Sequence, residues 1–186
     1  MSIVQIDESG KVLDRAAKVL AGIPGGLEKA MQSAATRSGN TAKTKAGQFA
    51  AEEYTISKGT FMSNTDNRSN ISVGGGSVTM TLSYAGGVLP LLQFNTKFSK
   101  GGYVQTQVKR SGSATILQHA FAANFGSIGI YERLGKSRFP IEGKYGPSTA
   151  HMMQNEKVVE QMDETISETF EKRMDHEISR ILNGWG

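Results

Sequence analysis

The chain of 186 residues contains no cysteine. Disulfides, thiolate metal sites and cysteine nucleophiles are therefore excluded, and packing alone must hold the fold. We expect such a chain to suit a reducing cytoplasm. No apolar run approaches the roughly 20 residues that span a bilayer. The first ten residues lack the basic start and apolar stretch of a signal peptide, so we expect a soluble protein that is not exported.

Residues that carry most enzyme chemistry are scarce or scattered. His119, His151 and His176 are far apart, and neither an H-x-x-x-H nor an H-E-x-x-H pair exists to bind zinc. No G-x-S-x-G elbow is present for a serine nucleophile. The carboxylates from Glu156 to Glu171 share one solvated stripe, whereas acid/base catalysis needs a facing pair. We therefore expect a protein that is not an enzyme, with no catalytic residue, cofactor or metal.

The segment Gly135-Lys136-Ser137 is similar to the end of a phosphate-binding loop. That loop has the pattern G-x-x-x-x-G-K-[ST] and opens a helix whose N-terminus holds phosphate. Here Ile130 stands where the first glycine belongs. Pro140 pushes the residue before it out of helical space, so the following segment is expected to be extended. The sequence therefore predicts no nucleotide site.

Charge is distributed unevenly along the chain, which has a net charge of +4. Residues 51–150 carry ten Lys and Arg against five Asp and Glu, and residues 151–186 carry four against eight. The basic middle fits either a solvated surface or a surface that faces nucleic acid. An acidic C-terminal element on a basic body also suits head-to-tail contact between identical subunits.

The hydrophobic pattern predicts an α+β fold in a single domain over residues 1–186. It comprises an N-terminal helical region at 10–56, an antiparallel and strongly turned β-sheet at 60–150, and a long C-terminal helix at 153–183. Val78, Met80, Leu82 and Tyr84 alternate with polar residues, which is typical of a half-buried strand, and the glycines at 74–76 supply the turn before it.

Within these regions we expect helices over residues 13–20 and 27–54 and further strands over 91–94, 103–108, 114–117, 128–133 and 139–141. Residues 119–124 fit either a strand or a helical turn. From 155 to 182, apolar residues recur near the helical repeat and leave one face for packing. That face, which includes Phe170, either lies along the sheet or meets another subunit. Trp185 is either a packing anchor or an exposed contact.

The elements of this chain follow the order of a helix, a glycine-rich sheet, the motif R-x-G-K-x-R-F-P-I, the motif G-P-S and a long acidic helix. In the order of its elements, this chain resembles the minor tail protein Z and related tail-completion proteins of long-tailed bacteriophages. The similarity spans residues 27–182 and is specific at 133–148. The matching residues are Arg133, Gly135, Lys136, Arg138, Phe139, Pro140 and Ile141, followed by Gly146, Pro147 and Ser148.

The resemblance implies a structural virion protein, assembled in the host cytoplasm, that completes the head-proximal end of the tail so that it can join the head. It implies a homo-oligomeric ring of six copies that contacts the tail terminator, the tail tube or the head connector, with non-specific proximity to phage DNA and no membrane. We expect subunit or partner contacts from Arg133, Lys136, Arg138, Phe139, Phe170 and Trp185.

Other interpretations stay open. The chain also fits a nucleic-acid-binding module that uses its basic centre, a tail terminator or collar protein of the same assembly, or an enzyme with an unrecognised site. The segment G-K-S-R-F-P-I also fits a simple turn and edge strand, because Pro140 lacks a backbone donor. A steep loss of nucleic-acid affinity with salt is expected of the first alternative.

Overall fold

The structure, a computed structural model, describes residues 2–8, 10–99, 103–126 and 128–184, with residues 2–8 described by their backbone alone. Every strand pair with a described register is antiparallel, so the predicted α+β class is confirmed. The helices are α1 (Lys11–Leu20), α2 (Gly26–Glu53), α3 (Lys58–Ser63), α4 (Thr149–Met152) and α5 (Glu156–Leu182). The strands are β1 (Ser2–Glu8), β2 (Asp66–Gly74), β3 (Ser77–Ala85), β4 (Val88–Pro90), β5 (Asn95–Phe98), β6 (Val104–Gln107), β7 (Thr115–Leu117), β8 (Ala120–Asn124), β9 (Ile128–Arg133) and β10 (Ile141–Ser148).

The chain forms two compact units. Unit 1 contains residues 1–46, 67–84 and 159–186, and unit 2 contains residues 47–66 and 85–158. The expectation of a single domain over residues 1–186 stays a prediction. Of the helices in the described ranges, none combines the length and apolar character needed to cross a bilayer.

Unit 1 is a three-stranded sheet, in the order β1-β3-β2, with helices from both ends of the chain. The side chains of β3 alternate as the sequence predicts, with Val78, Met80, Leu82 and Tyr84 all buried. The buried face of α2 in this unit consists largely of alanine and methionine, at positions 30, 31, 34, 35 and 42. A Cβ at Gly39 would meet Leu82 at 3.9 Å, so small residues let α2 lie close to the sheet.

A tight turn joins β2 to β3. Gly75 and Gly76 have φ values of 60° and 76°. Positive φ at both central residues is the requirement of the two-residue hairpin turn that matches the twist of its strands. The turn predicted from the glycine run is therefore confirmed, and it sets where β3 begins.

Unit 2 contains two sheets, β4-β10-β9-β8 and β5-β6-β7. The segment after β6 is tied to the end of α2, because the Arg110 backbone N–H donates to the Glu53 carbonyl at 2.9 Å and Arg110 Nε donates to the Ala51 carbonyl at 2.6 Å. These carbonyls lie in the last turn of α2, where no intrahelical donor is available. Ser148 caps α4 by accepting a hydrogen bond from the His151 N–H at 3.1 Å.

Two local predictions were wrong, and the strand over residues 2–8 was not predicted. Its register runs from Ser2 opposite Tyr84 to Glu8 opposite Val78. The predicted strand at 91–94 is a 3-10 turn over Leu91–Gln93, which follows directly after Pro90. The predicted strand at 139–141 begins only at Ile141, because Phe139 and Pro140 belong to the preceding loop. Of residues 119–124, left open above, Ala120–Asn124 form β8 and His119 lies in the turn before it.

Candidate functional site

The segment that carries the resemblance is presented by the hairpin of β9 and β10. These strands pair antiparallel, with Arg133 opposite Ile141 and Ile130 opposite Lys144. Residues 134–140 connect them, and the Leu134 N–H closes the connection by donating to the Pro140 carbonyl at 3.1 Å. Every residue from 133 to 140 is exposed. The hairpin therefore presents this segment to solvent as a contact surface.

Two arginines in this segment lie against aromatic rings. The Arg133 Cζ atom lies 5.2 Å from the centroid of the Phe121 ring, and the Arg138 Cζ atom lies 5.9 Å from that of Phe139. A cation held over an aromatic face gains about 0.5–1 kcal/mol at an exposed site. The rings restrict the guanidinium groups and leave their N–H donors available to a partner.

The cations of this segment lack acidic partners. No carboxylate in the described part of the chain forms an ion pair with Arg133, Lys136 or Arg138. The exposed apolar side chains of Leu134 and Phe139, 62% and 59% accessible, lie among them. We call this set the basic loop surface: Phe121, Arg133, Leu134, Lys136, Arg138 and Phe139.

The carboxylates nearest in sequence bind another residue. Lys144 Nζ lies 2.7 Å from Glu142 Oε2 and 2.9 Å from Glu132 Oε2. The hydrogen bond to Glu142, followed by that to Glu132, raises the pKa of Lys144 above its usual range. Glu132 and Glu142 are directly opposite in the ladder, so Lys144 relieves a like-charge contact.

Strand alternation explains why these acids do not reach Arg133. Phe121 lies opposite Tyr131, so Arg133 is the diagonal neighbour of Phe121 on the same face of the sheet. Glu132 lies between Tyr131 and Arg133 in the chain and therefore points to the other face. The sheet thus separates an aromatic and arginine face from a lysine and glutamate face.

An open groove adjoins the basic loop surface. It has a volume of about 610 Å³ and is lined by Gln118, His119, Ala120, Phe121, Arg133, Leu134, Gly135 and Lys136. On the neighbouring strand residue Tyr131, the Phe125 ring packs edge-on with the two centroids 5.0 Å apart. Acidic side chains are absent from the lining, so the groove favours a partner that brings negative charge.

A second unpaired set lies on α5. Glu160, Asp163, Glu164 and Glu171 are exposed, and no cation in the described part of the chain forms an ion pair with them. We call these four residues the acidic stripe. Neighbouring acids differ, since Glu168 pairs with Lys172 at 3.6 Å and Asp175 pairs with Arg15.

The predicted site residues separate into three groups. Arg133, Lys136, Arg138 and Phe139 come together on the basic loop surface. Phe170 is only 1% exposed and belongs to the core of unit 1, so its side chain offers no surface to a partner. That correction follows from the apolar face of α5, which packs inside the unit. Trp185 lies outside the described residues.

Two other cavities are lined mostly by polar residues. A cleft of about 450 Å³ in unit 2 is lined by Glu53, Tyr54, Lys109, Ser111, His151, Gln154, Asn155, Glu156 and Lys157. A groove of about 830 Å³ in unit 1 runs along the polar face of α2 and includes Arg37 and Arg180. Within the described ranges, no three His, Asp or Glu side chains form a ligand set for a metal ion.

Sequence reasoning missed the specific partners within the site. Phe121 was not among the predicted contact residues, and sequence reasoning connected neither Phe121 with Arg133 nor Lys144 with Glu132 and Glu142. The strand register creates these contacts, and alternation within 120–124 and 128–133 is the signal that could have indicated them. Comparisons with protein-family models, curated proteins and solved structures find no match for this chain.

Proposed function

We propose that this chain is a structural virion protein at the head-proximal end of a long phage tail, where it completes the tail and enables head-tail joining through ring-type self-assembly. One observation carries the proposal. Residues 133–148, which bear the resemblance to tail-completion proteins, begin with an exposed loop of cations that lack carboxylate partners in the described chain. Such a loop is suited to contact another macromolecule.

The distribution of charge between the units supports self-assembly. Unit 2 carries ten Lys and Arg against six Asp and Glu, whereas unit 1 carries eleven of each. The net charge of +4 therefore belongs to unit 2, which holds the basic loop surface, while unit 1 holds the acidic stripe. Unlike surfaces on one subunit suit head-to-tail association, which closes into a ring when the rotation permits.

Deletion of the gene from the encoding phage tests the proposal. Because the finished tail must become competent to join the head, we expect filled heads and free tails to accumulate separately in electron micrographs. Wild-type protein supplied from a plasmid should restore joined particles. A tagged copy should lie at the head-proximal end of the tail, in six copies. Joined, infectious particles without the chain would refute the proposal, and a label on the collar would favour the collar alternative.

A second candidate, a nucleic-acid-binding module, is favoured by the guanidinium group of Arg133 over the Phe121 ring. Basic and aromatic groups together are what single-strand-binding surfaces use, and phosphate contacts make such binding strongly salt-dependent. Fluorescence anisotropy with a short duplex and a short single strand measures this. Undetectable binding at low salt removes the candidate, whereas binding that is lost with Arg133→Ala supports it.

A further inference from the structure

We infer that the basic loop surface binds the acidic stripe of α5 from a second copy of this chain. The inference deepens the proposed function and rests on it, since it names the partner of the surface on which assembly depends. Its basis is that both sets of charges are exposed and that neither is neutralised within the described part of its own chain. Both sets of charges are therefore available to a partner molecule.

The two surfaces match in chemistry. The loop contributes two guanidinium groups and one ammonium, and the stripe contributes four carboxylates. Arginine binds carboxylate through two parallel hydrogen bonds, which fixes orientation as well as charge. Because Arg133 is already held over Phe121, less side-chain freedom is lost when a carboxylate binds.

The two surfaces also match in form. The stripe extends roughly 17 Å along the helix axis from Glu160 to Glu171, at the rise of an α-helix. The groove of about 610 Å³ beside Arg133 and Lys136 is open and has no acidic lining residue, so carboxylate side chains from a helix can enter it. Exposed Leu134 and Phe139 add apolar area to the same contact.

This pairing is heterologous, because the loop of one copy meets the helix of the next. Each copy in a pair therefore keeps one unused surface, and association continues until a ring closes or a filament grows. A nucleic acid would instead occupy the basic loop surface and leave the acidic stripe without a role. The presence of both unpaired surfaces on one chain therefore favours a second copy as the partner.

Two neutralised variants of the full chain test the inference. The loop variant carries Arg133→Ala, Lys136→Ala and Arg138→Ala. The stripe variant carries Glu160→Gln, Glu164→Gln and Glu171→Gln. A control variant removes the same number of positive charges at three exposed lysines outside the loop, Lys18, Lys45 and Lys97. Circular dichroism and thermal melting establish that each is folded, and sedimentation velocity over a range of concentrations and salt measures association.

We expect the wild type and the control to associate, and we expect this association to weaken as salt rises. Each neutralised variant alone should associate at least about tenfold more weakly, because it lacks one of the two complementary surfaces. Mixing the two should restore binding that stops at a 1:1 dimer, since the loop variant retains the stripe and the stripe variant retains the loop. In this dimer both remaining surfaces are neutralised, so it cannot grow, and we call it the capped dimer. A capped dimer is specific to a heterologous contact.

Three results would overturn the inference: a wild type that stays monomeric at low salt, neutralised variants that associate like the control, or a mixture that forms no dimer. Binding of a short DNA duplex to the loop surface, with no association between copies, also overturns it and identifies nucleic acid as the partner. Gene deletion separates this inference from the proposed function. A capped dimer together with normal head-tail joining in the deletion phage would contradict only the function.

Discussion

Tyr84 at the end of β3 provides a sensitive test of the core of unit 1. Its side chain is fully buried, and its hydroxyl group has no hydrogen-bond partner in the described part of the chain. A buried polar group without a partner costs about 1–3 kcal/mol relative to its state in water. Tyr84→Phe removes this group and keeps the ring. We therefore expect the variant to be more stable than the wild type, by about 1 kcal/mol at pH 8.

The difference in unfolding free energy between Tyr84→Phe and the wild type should also depend on pH, which gives a second, independent magnitude. Burial raises the pKa of the Tyr84 phenol well above its ordinary value of 10.0. The folded state therefore keeps the proton at pH values where the unfolded chain loses it, and the unfolded state gains stability as pH rises above 10. For one such group the free energy of unfolding falls by about 1.4 kcal/mol between pH 8 and pH 11. Tyr84→Phe has no phenol at this position and does not lose this free energy of unfolding. The difference in stability between Tyr84→Phe and the wild type should therefore grow by about 1.4 kcal/mol between pH 8 and pH 11.

Urea denaturation at pH 8 and pH 11 measures both effects. Tyr145→Phe is the matched control, because the same substitution is made at a residue that is 55% exposed. Its stability should stay within about 0.5 kcal/mol of the wild type at pH 8. A Tyr84→Phe protein that is less stable at pH 8 would indicate a phenol hydrogen bond. A difference that does not change between the two pH values would refute the argument from burial.

Two further substitutions test the packing of each unit. Phe170→Ala should lower the free energy of unfolding by about 3–5 kcal/mol because it empties a buried site on α5, whereas exposed Leu182→Ala should change it by less than about 0.5 kcal/mol. Gly86→Ala should destabilise unit 2 by about 1–3 kcal/mol, because the new Cβ would overlap Thr149 Oγ1, whereas Gly87→Ala meets open space. Chemical denaturation measures all four; equal effects within either pair would contradict the packing described.

Much of the fold was predictable because its signals are local. The alternation of β3 and the helical repeat of α5 each lie within one segment, so periodicity identified both. Prediction was incomplete or wrong where a short segment carries little pattern of its own. The strand at 2–8 was not predicted, and the 3-10 turn at Leu91–Gln93 was predicted as a strand. The pairing of β1 with β3 fixes the first, and the geometry around Pro90 fixes the second.

At the candidate site, too, local sequence signals were predictable and contacts between distant segments were not. The sequence by itself placed Arg133, Lys136, Arg138 and Phe139 in one short segment that Pro140 keeps out of a helix. Tertiary structure decided which charges are free. Strand register put Lys144 between two glutamates on one face of the sheet and Arg133 over Phe121 on the other. Register depends on pairing between segments distant in sequence, and so the availability of a charge is a property of the fold.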